Sequence, residues 1–458
     1  MSNLSEKKLM MWVRQLRPRP KSAVETPLKR VFRNTGWLIA AKVLGGLLSL
    51  AYLAMAARSL GPEGFGEFTL ILTVAQALAG LVSFQMWRLV LRFGTRPFQA
   101  GDLHGLRELI WRCARLDLAG AVAGCALAVP FTAWLGSRFH WSTHIQRDAL
   151  LFAAIMLLSA RSTAVGVLRL QDRFRAGAIA STCTPVVRFM GSVIVVALKP
   201  GVEAFLISWA AAEIATCVAY WVFVWKSEVM ARASAEQSET PPQYPIQRGF
   251  WRFALFTNAN STMATGAQQI ALFSVGLTAG TAAAGYFRLG YQLAQALLLI
   301  AEMVSRSLYA EVESLVAKRN KPALDYLFGR ATALASVGGA TAVILILLLG
   351  RPALELIGGP PYLPAFPQLL VLGAAAAVQL VGISFEPALL ALDQSGLVLA
   401  VRAVSTVALF ALLGFLLPNY GALGGGLALL GQSVLLVALL GAAARAKGQH
   451  GLAVASLS

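Results

Sequence analysis

Apolar runs of about 20 residues recur along the whole chain and are separated by short polar or basic segments. An α-helix rises about 1.5 Å per residue, so a run of this length crosses a hydrocarbon layer of roughly 30 Å. The pattern predicts twelve membrane-spanning helices. The predicted spans are 35–57, 68–91, 110–135, 149–169, 176–198, 203–225, 252–276, 281–305, 327–350, 367–391, 396–417 and 421–444.

The composition favours the same class of protein. Of the 458 residues, 57% are hydrophobic and only 13% are charged, and the mean hydropathy is +0.66. A soluble globular domain has about 45–50% apolar and about 25% charged residues. The chain is therefore predicted to be an all-α integral membrane protein.

The basic residues indicate how the chain is oriented. The net charge is +18, and the Lys and Arg residues gather in the short segments between apolar runs. With both termini in the cytoplasm, 29 of the 39 Lys and Arg residues lie inside, five lie outside and five lie within spans. This division follows the positive-inside rule, so the charge indicates orientation and not a nucleic-acid partner. The five outer cations are Arg58, Arg138, Arg147, Lys199 and Arg351.

The longest predicted connection divides the spans into two groups of six. It contains SAEQSETPPQYPIQ, a polar and proline-bearing sequence typical of a linker. We therefore predict two six-helix lobes. The predicted organisation is a basic cytoplasmic segment 1–34, an N-lobe 35–226, a cytoplasmic linker 227–249, a C-lobe 250–445 and a cytoplasmic tail 446–458.

The two lobes share a short sequence pattern. A shift of 219 residues lays LGPEGFGEFTL on AGTAAAGYFRL, so that Gly61 and Gly66 meet Gly280 and Gly285. Transporters with internal repeats often bind their substrate near the midplane, where the halves face each other. We interpret the glycine-rich turn at 57–70 as a tight connection between two helices with no further role.

The eighth predicted span carries a polar stripe. Five polar residues spaced by 4, 3, 7 and 4 positions lie within roughly 40° of one direction on a helix. They are Arg288, Gln292, Gln295, Glu302 and Arg306. By the repeat, spans one, two, seven and eight form the predicted cavity walls, although their neutral residues can equally join helices by hydrogen bonds. The candidate lining residues are Gln76, Trp87, Asn258, Thr265, Gln269, Tyr286, Tyr291, Gln292 and Gln295.

The cations within the spans are the strongest candidates for a binding role. A charge at the bilayer centre costs about 2.5–3.5 kcal/mol on insertion scales, so these side chains are expected to face protein, water or a ligand. They are Arg288, Lys42, Arg188, Arg161 and Arg402, with the first two favoured. Three interior acids oppose them, which leaves an excess of positive charge. The acids are Glu213, Glu302 and Glu386. Snorkelling or buried ion pairs are the alternative.

Several motifs resemble one transporter family. RSLGPEGFGEFTL, AAAGYFRLGYQLA, GGPPYLPAFPQLLVLGAAAA and YGALGGGLALL occur in this order and at matching places in the topology. Together they resemble the polysaccharide (O-antigen type) flippases of the multidrug/oligosaccharidyl-lipid/polysaccharide exporter (MOP) superfamily. The resemblance implies two six-helix lobes around a central cavity, as in the MATE-like fold, in a bacterial cytoplasmic (inner) membrane. It also implies surface polysaccharide export, with membrane lipids and polysaccharide assembly machinery as partners.

The function implied by the resemblance is the flipping of an isoprenoid-diphosphate-linked oligosaccharide. We expect the interior cations to bind the diphosphate and the amide and aromatic side chains to meet the sugar. Glu302 is the candidate site for coupling to H+ or Na+, and no other cofactor, no metal site and no nucleic-acid partner are expected. The alternatives are a cation-coupled multidrug exporter of the same fold and a membrane glycan polymerase or ligase.

Overall fold

The fold is that of a helical bundle. The computed structural model describes residues 27–139, 141–227, 249–296, 321–383, 385–386, 389 and 394–455. The side chains are described in these ranges except at 27–43, 256, 260–261, 264, 321–331, 395 and 447–455. Within these residues the chain is helical apart from short turns, and no strand occurs.

The helices follow one another with short connections, as the alternation of apolar and polar segments predicts. Their bounds are α1 Pro27–Val82, α2 Met86–Ala100, α3 Leu103–Phe139, α4 Thr143–Leu158, α5 Ser162–Leu170, α6 Phe174–Leu198, α7 Val202–Trp225, α8 Phe250–Ala279, α9 281–296, α10 Lys321–Gly358, a 3₁₀ turn Pro360–Ala365, α11 Phe366–Val381, α12 Ser395–Tyr420 and α13 Ala422–Ala455.

Long apolar segments carry most of the described chain. Nine segments within the described ranges are long and apolar enough to cross a membrane. One of them, Leu44–Ala100, contains parts of the first two predicted spans. Most of the linker 227–249 and the last nine residues of span eight lie outside the described residues, so the division into domains stays a prediction.

The first helix turns back at a single glycine. Gly61 has φ 66° and ψ 177°, a conformation that side-chain-bearing residues rarely adopt, and Pro62 follows it. The chain before Gly61 forms the first predicted span and the chain after it begins the second. We call the end of the bundle at Gly61 the turn end, and the opposite end, where Arg88 and Arg169 lie, the basic end.

Two of the predicted spans are not continuous helices. The second span breaks at 83–85, between α1 and α2, and the fourth breaks at 159–161, between α4 and α5. The breaks lie side by side, because the Trp87 amide donates to Ser162 Oγ at 3.2 Å. A break inside a membrane requires polar partners for the freed backbone groups, and neighbouring helices supply them here.

A buried apolar core joins the two halves of the sequence at the turn end. Phe68 and Trp209 from the first half lie in one cluster with Phe287 and Tyr362 from the second. The rings of Phe68 and Trp209 meet edge to face, with centroids 5.0 Å apart. The halves are therefore packed against each other at this end.

Candidate functional site

The glycine-rich turn contacts the second half of the chain. Arg58 Nη2 donates to the Leu356 carbonyl at 2.6 Å, and the Tyr362 hydroxyl donates to the Ala57 carbonyl at 3.1 Å. A Cβ added at Gly66 would overlap the Thr281 carbonyl, so this helix approach requires glycine. The expectation that the turn has no role beyond connecting two helices is therefore wrong, because it also holds the two halves together.

Polar contacts continue along α1 and α8. Gln269 Nε2 donates to Gln76 Oε1 at 3.0 Å, and Asn258 Nδ2 donates to the Leu81 carbonyl at 3.4 Å. Thr262 Oγ1 donates to the Gly80 carbonyl at 2.7 Å. Gln76 and Asn258 thus join helices from the two halves by hydrogen bonds, which was the alternative to a lining role.

Two of the predicted cations share one carboxylate. Glu213 on α7 is 5% exposed and accepts from Arg161 Nη1 at 2.6 Å and from Arg188 Nη2 at 2.7 Å. The expectation that positive charge lacks a protein partner is therefore wrong for Arg161 and for Arg188, because each pairs with Glu213. The group of three side chains nevertheless keeps one net positive charge.

The break before α5 positions Arg161. Asp117 on α3 accepts from the Thr163 amide at 3.0 Å and from its hydroxyl at 2.7 Å, which satisfies the first turn of α5. Trp221 Nε1 donates to the Ala160 carbonyl at 3.0 Å. Trp221 lies eight residues after Glu213 on α7, so one helix face both supports the break and pairs with the arginine that leaves it.

Arg288 brings a third guanidinium to this group from the other half. Arg188 lies over the rings of Trp209 at 5.3 Å and Tyr52 at 5.9 Å. Arg288 on α9 is within electrostatic range of Arg188, Tyr52 and Tyr291. We call Arg161, Arg188 and Arg288, with Glu213, the arginine cluster. Within the described part of the chain, Glu213 is the acidic residue of the cluster, and it forms salt bridges to Arg161 and Arg188.

A cavity of about 630 Å³ lies in the second half, beside this cluster. We call it the glutamine chamber. Its polar lining comes from α8, α9, α11, α12 and α13, and the two charged residues in the lining, Glu386 and Arg402, form a salt bridge with each other. The amide residues in the lining are Gln268, Gln269, Gln295, Gln379 and Gln432.

Tyr291 lies between the arginine cluster and the glutamine chamber. Tyr291 lines the glutamine chamber and lies within electrostatic range of Arg288. Arg288 and Tyr291 are three positions apart on α9, so they are neighbours on the helix surface. The cationic and the amide-lined parts are therefore adjacent, and together they form an extended polar site.

A family model decides the relationship of this chain to known proteins. The model described as "Polysaccharide biosynthesis protein" matches residues 31–309. The chain belongs to this family. A curated relative is the inner membrane protein YghQ of Escherichia coli (strain K12), 27% identical over 349 residues that cover 74% of this chain and 95% of YghQ.

Solved structures with a similar fold give the architecture of this family member. It is similar to a multidrug resistance MATE family transporter of the MOP superfamily in its inward-facing conformation, with a TM-score of 0.72, 14% identity and coverage of 89% of this chain and 95% of the other. The outward-facing conformation of such a transporter gives 0.65, with 16% identity and coverage of 92% and 96%. A Pyrococcus furiosus MOP transporter, described as having a binding pocket of reverse polarity, gives 0.63 with 16% identity and coverage of 92% and 96%.

These comparisons confirm the predicted all-α MATE-like fold and the resemblance to the MOP superfamily. The prediction of a membrane transporter and not an enzyme agrees with the family and the fold. The apolar helices and the relative YghQ support a multi-pass protein of the inner membrane. The cytoplasmic placement of both termini stays a prediction.

The remaining predicted residues of this family member lie in several places. Thr265, Gln269, Tyr291, Gln295 and Arg402 line the glutamine chamber. Trp87, Tyr286 and Gln292 are not among the lining residues. The side chain of Lys42 and all of Glu302 and Arg306 lie outside the described residues, so the predictions for them are untested.

Trp87 lies at the basic end of the bundle, where its backbone amide donates to Ser162, the residue after Arg161 of the arginine cluster. The guanidinium of Arg169 lies over its ring at 4.3 Å and that of Arg88 at 5.1 Å. Tyr286 packs edge to face on Tyr362 at the turn end. Gln292 is half-buried and is not among the chamber-lining residues. Trp87 and Tyr286 therefore do not line the glutamine chamber, and a lining role for them elsewhere stays a prediction.

Sequence reasoning missed the role of two helices in the chamber. Gln379 on α11 and Gln432 on α13 line it, and Gln379 Nε2 donates to Ser433 Oγ at 2.8 Å. Each glutamine lies in a predominantly apolar helix, and that was the available signal. The pairing of Arg161 and Arg188 through Glu213 was also missed, because no spacing along the chain links α5, α6 and α7.

Proposed function

We propose that this protein is a flippase that moves an isoprenoid-diphosphate-linked oligosaccharide from the inner to the outer leaflet of the bacterial inner membrane, for the export of a surface polysaccharide. The arginine cluster binds the diphosphate. The lipid tail remains in the bilayer while the polar head passes between the two halves by alternating access. Membrane lipids and the machinery of polysaccharide assembly are its partners.

One observation carries this proposal. Arg188 and Arg288 come from different halves of the chain and lie within electrostatic range of each other. Glu213 balances only one of the positive charges of the cluster, and the charge that remains in a membrane interior is costly unless a further anion lies close to it. A diphosphate supplies that anion, and guanidinium groups match its oxygens in a fork geometry.

The packing at the turn end supports a direction of access. If the termini lie in the cytoplasm, the turn end faces the outer side, where the halves are held together by Arg58, Tyr362 and the Gly66 contact. In this proposal the head group enters from the basic end, where the halves also touch through Phe93 and Phe250, so this end opens to admit it. A head group bound there from the inner leaflet leaves when the turn end opens.

A cation-exporting drug transporter fits the cluster less well. Such a site needs carboxylates that are free to meet a cationic drug. Glu213 is instead held by two arginines, and Glu386 is held by Arg402. Coupling to H+ or Na+ through Glu302 stays part of the proposal, and flipping rates with and without each ion gradient test it.

The proposal is tested by flipping in proteoliposomes. The probe is a fluorescent polyprenyl diphosphate that carries one N-acetylhexosamine, and the assay measures how fast its head group appears on the opposite leaflet. Arg288→Ala and Arg188→Ala should each lower the rate by at least tenfold, because each removes a charge-assisted contact to the diphosphate.

The matched control is Arg351→Ala. Arg351 lies at the turn end with its guanidinium 5.0 Å from the Phe366 ring, and it is outside the cluster. This variant should flip the probe at the wild-type rate. Wild-type flipping by folded Arg288→Ala and Arg188→Ala proteins contradicts the proposal.

A further inference from the structure

We propose that the glutamine chamber is the subsite for the sugar next to the diphosphate, and that it selects an uncharged sugar over an acidic one. This inference rests on the proposed function, because it assigns a second part of the same substrate to a second part of the same site. The juxtaposition of a cationic cluster and a neutral amide-lined chamber carries it.

The chamber has the chemistry that sugar hydroxyls require. Each of its five glutamines carries both donors and acceptors on the amide, and a hydroxyl is likewise donor and acceptor. Thr265 and Tyr291 add two hydroxyls to the lining. The volume of about 630 Å³ lies within the roughly 300–1,000 Å³ of sites that hold small molecules. The chamber is therefore large enough for a short glycan.

The charges of the chamber cancel within the protein. Glu386 and Arg402 are the charged residues among its described lining, and they pair with each other. A hexuronic acid placed there would bring a carboxylate next to Glu386 into a buried site whose arginine already pairs with Glu386, which is costly. A hexose or N-acetylhexosamine brings no such charge. The chamber thus favours neutral sugars.

Two buried polar atoms of the lining have no hydrogen-bond partner in the described part of the chain. Gln269 donates through Nε2 to Gln76 while its Oε1 remains an open acceptor. Arg402 pairs through Nη2 with Glu386 while its Nε remains an open donor. Buried polar atoms are normally satisfied, so an acceptor and a donor in one cavity point to a polar ligand.

Other occupants fit less well. An isoprenoid tail would desolvate the five amides and leave the Gln269 Oε1 acceptor without a partner, which disfavours its binding. A metal ion would need free carboxylate oxygens, whereas the Glu386 carboxylate is engaged by Arg402. A glycan satisfies the amides and adds no charge.

The position of the chamber matches the order of groups in the substrate. Tyr291 lines the chamber, and Arg288 is three residues before it on α9. A diphosphate held at Arg288 therefore has its attached sugar beside Tyr291. The order along the site is the same as the order along the molecule, which is anion first and sugar next.

Equilibrium binding to the full-length protein in nanodiscs tests the inference with three probes. They are a polyprenyl diphosphate without sugar, the same lipid with one N-acetylglucosamine, and the same lipid with one glucuronic acid. The N-acetylglucosamine probe should bind at least about tenfold more tightly than the sugar-free probe, as a few new hydrogen bonds allow. The glucuronic acid probe should bind no more tightly than the sugar-free one.

The double variant Gln379→Leu/Gln432→Leu removes two amides at nearly unchanged volume. It should lose the roughly tenfold gain for N-acetylglucosamine and keep the wild-type affinity for the sugar-free lipid. The control is Gln368→Leu, on the same helix as Gln379, buried but outside the chamber lining. It should keep both affinities.

The outcomes separate this inference from the proposed function. Equal binding of all three probes by the wild-type protein overturns the sugar subsite and leaves the diphosphate site standing. Equal loss of sugar-free and sugar-bearing lipid in the double variant also overturns it. If no probe binds to the wild-type protein, the proposed function itself fails.

Discussion

Arg188 and Arg288 come from opposite halves of the chain and lie near the same tyrosine, Tyr52, whose ring is 5.9 Å from the Arg188 guanidinium. The Arg188 guanidinium also lies over the Trp209 ring and donates to Glu213 at 2.7 Å, so contacts on several sides hold it in place. Arg288 lies on a helix of the other half. Any motion that separates the halves changes the distance between these two charges, which links anion binding to the conformation of the bundle.

Glu213 should be the most sensitive member of the cluster for stability. Glu213→Leu leaves Arg161 and Arg188 without their carboxylate in a largely buried setting, and it should destabilise the protein by about 3 kcal/mol. Glu213→Gln keeps an acceptor and should cost less. Unfolding of the purified variants, followed by heat or denaturant, measures the difference. Equal stability of wild type and Glu213→Leu contradicts the assigned role.

Gly66 should tolerate no side chain. A Cβ at this position overlaps the Thr281 carbonyl, so Gly66→Ala should force α1 and α9 apart at the turn end and cost about 1–3 kcal/mol. The control is Gly414→Ala on α12, where an added Cβ meets no atom within 4 Å. Thiol labelling of a cysteine placed at position 281 should be faster in Gly66→Ala than in the control. Identical labelling and stability of the two variants would show that the contact between Gly66 and Thr281 does not hold the helices together.

Asp117 should matter because it completes the break in the fourth predicted span. Its carboxylate accepts from the amide and the hydroxyl of Thr163, so Asp117→Ala should destabilise α5 by about 1–2 kcal/mol. Ser142→Ala removes the exposed cap of α4, whose oxygen accepts from the Ile145 amide at 3.4 Å, and should cost less. Thermal unfolding ranks the two variants. The reverse order would contradict the buried capping role.

Glu386 and Arg402 should behave as a coupled pair. Arg402→Met leaves Glu386 as a partly buried, unpaired charge, whereas Glu386→Gln/Arg402→Met removes both charges. The double variant should therefore be more stable than Arg402→Met alone. A double-mutant cycle on unfolding free energies should give a coupling of about 1–3 kcal/mol, and additive effects would exclude the pair.

Periodicity and charge were enough to predict most of the helices and the fold class, and the resemblance of four motifs indicated the family. Apolar runs of membrane length and basic connections indicate the helices and the fold class, and both signals are present in the local sequence. The turn at Gly61 was also predictable, because a glycine with a following proline permits the reversal that φ 66° requires. The contact of that turn with α10 was not predictable, since Arg58 and Leu356 are almost 300 residues apart.

The arginines of the candidate site were predicted from the sequence, but the ion pairs that they form were not. Arg188 and Arg288 were named from the cost of placing charge in a membrane, which is a local argument. The sharing of Glu213 by two arginines depends on how α5, α6 and α7 pack, and the sequence does not contain that geometry. The contact of the Trp87 amide with Ser162 was missed for a similar reason, because a break at 83–85 follows from partners on another helix.

The central claim is that Arg188 and Arg288 together hold a diphosphate. Its most direct test is the affinity of a sugar-free polyprenyl diphosphate for wild-type protein, Arg188→Gln, Arg288→Gln and the double variant in nanodiscs. The account predicts that each single variant binds at least about tenfold more weakly, and that the double variant loses less than the product of the two effects, because one ligand bridges both residues. Wild-type affinity in the correctly folded single variants would contradict it.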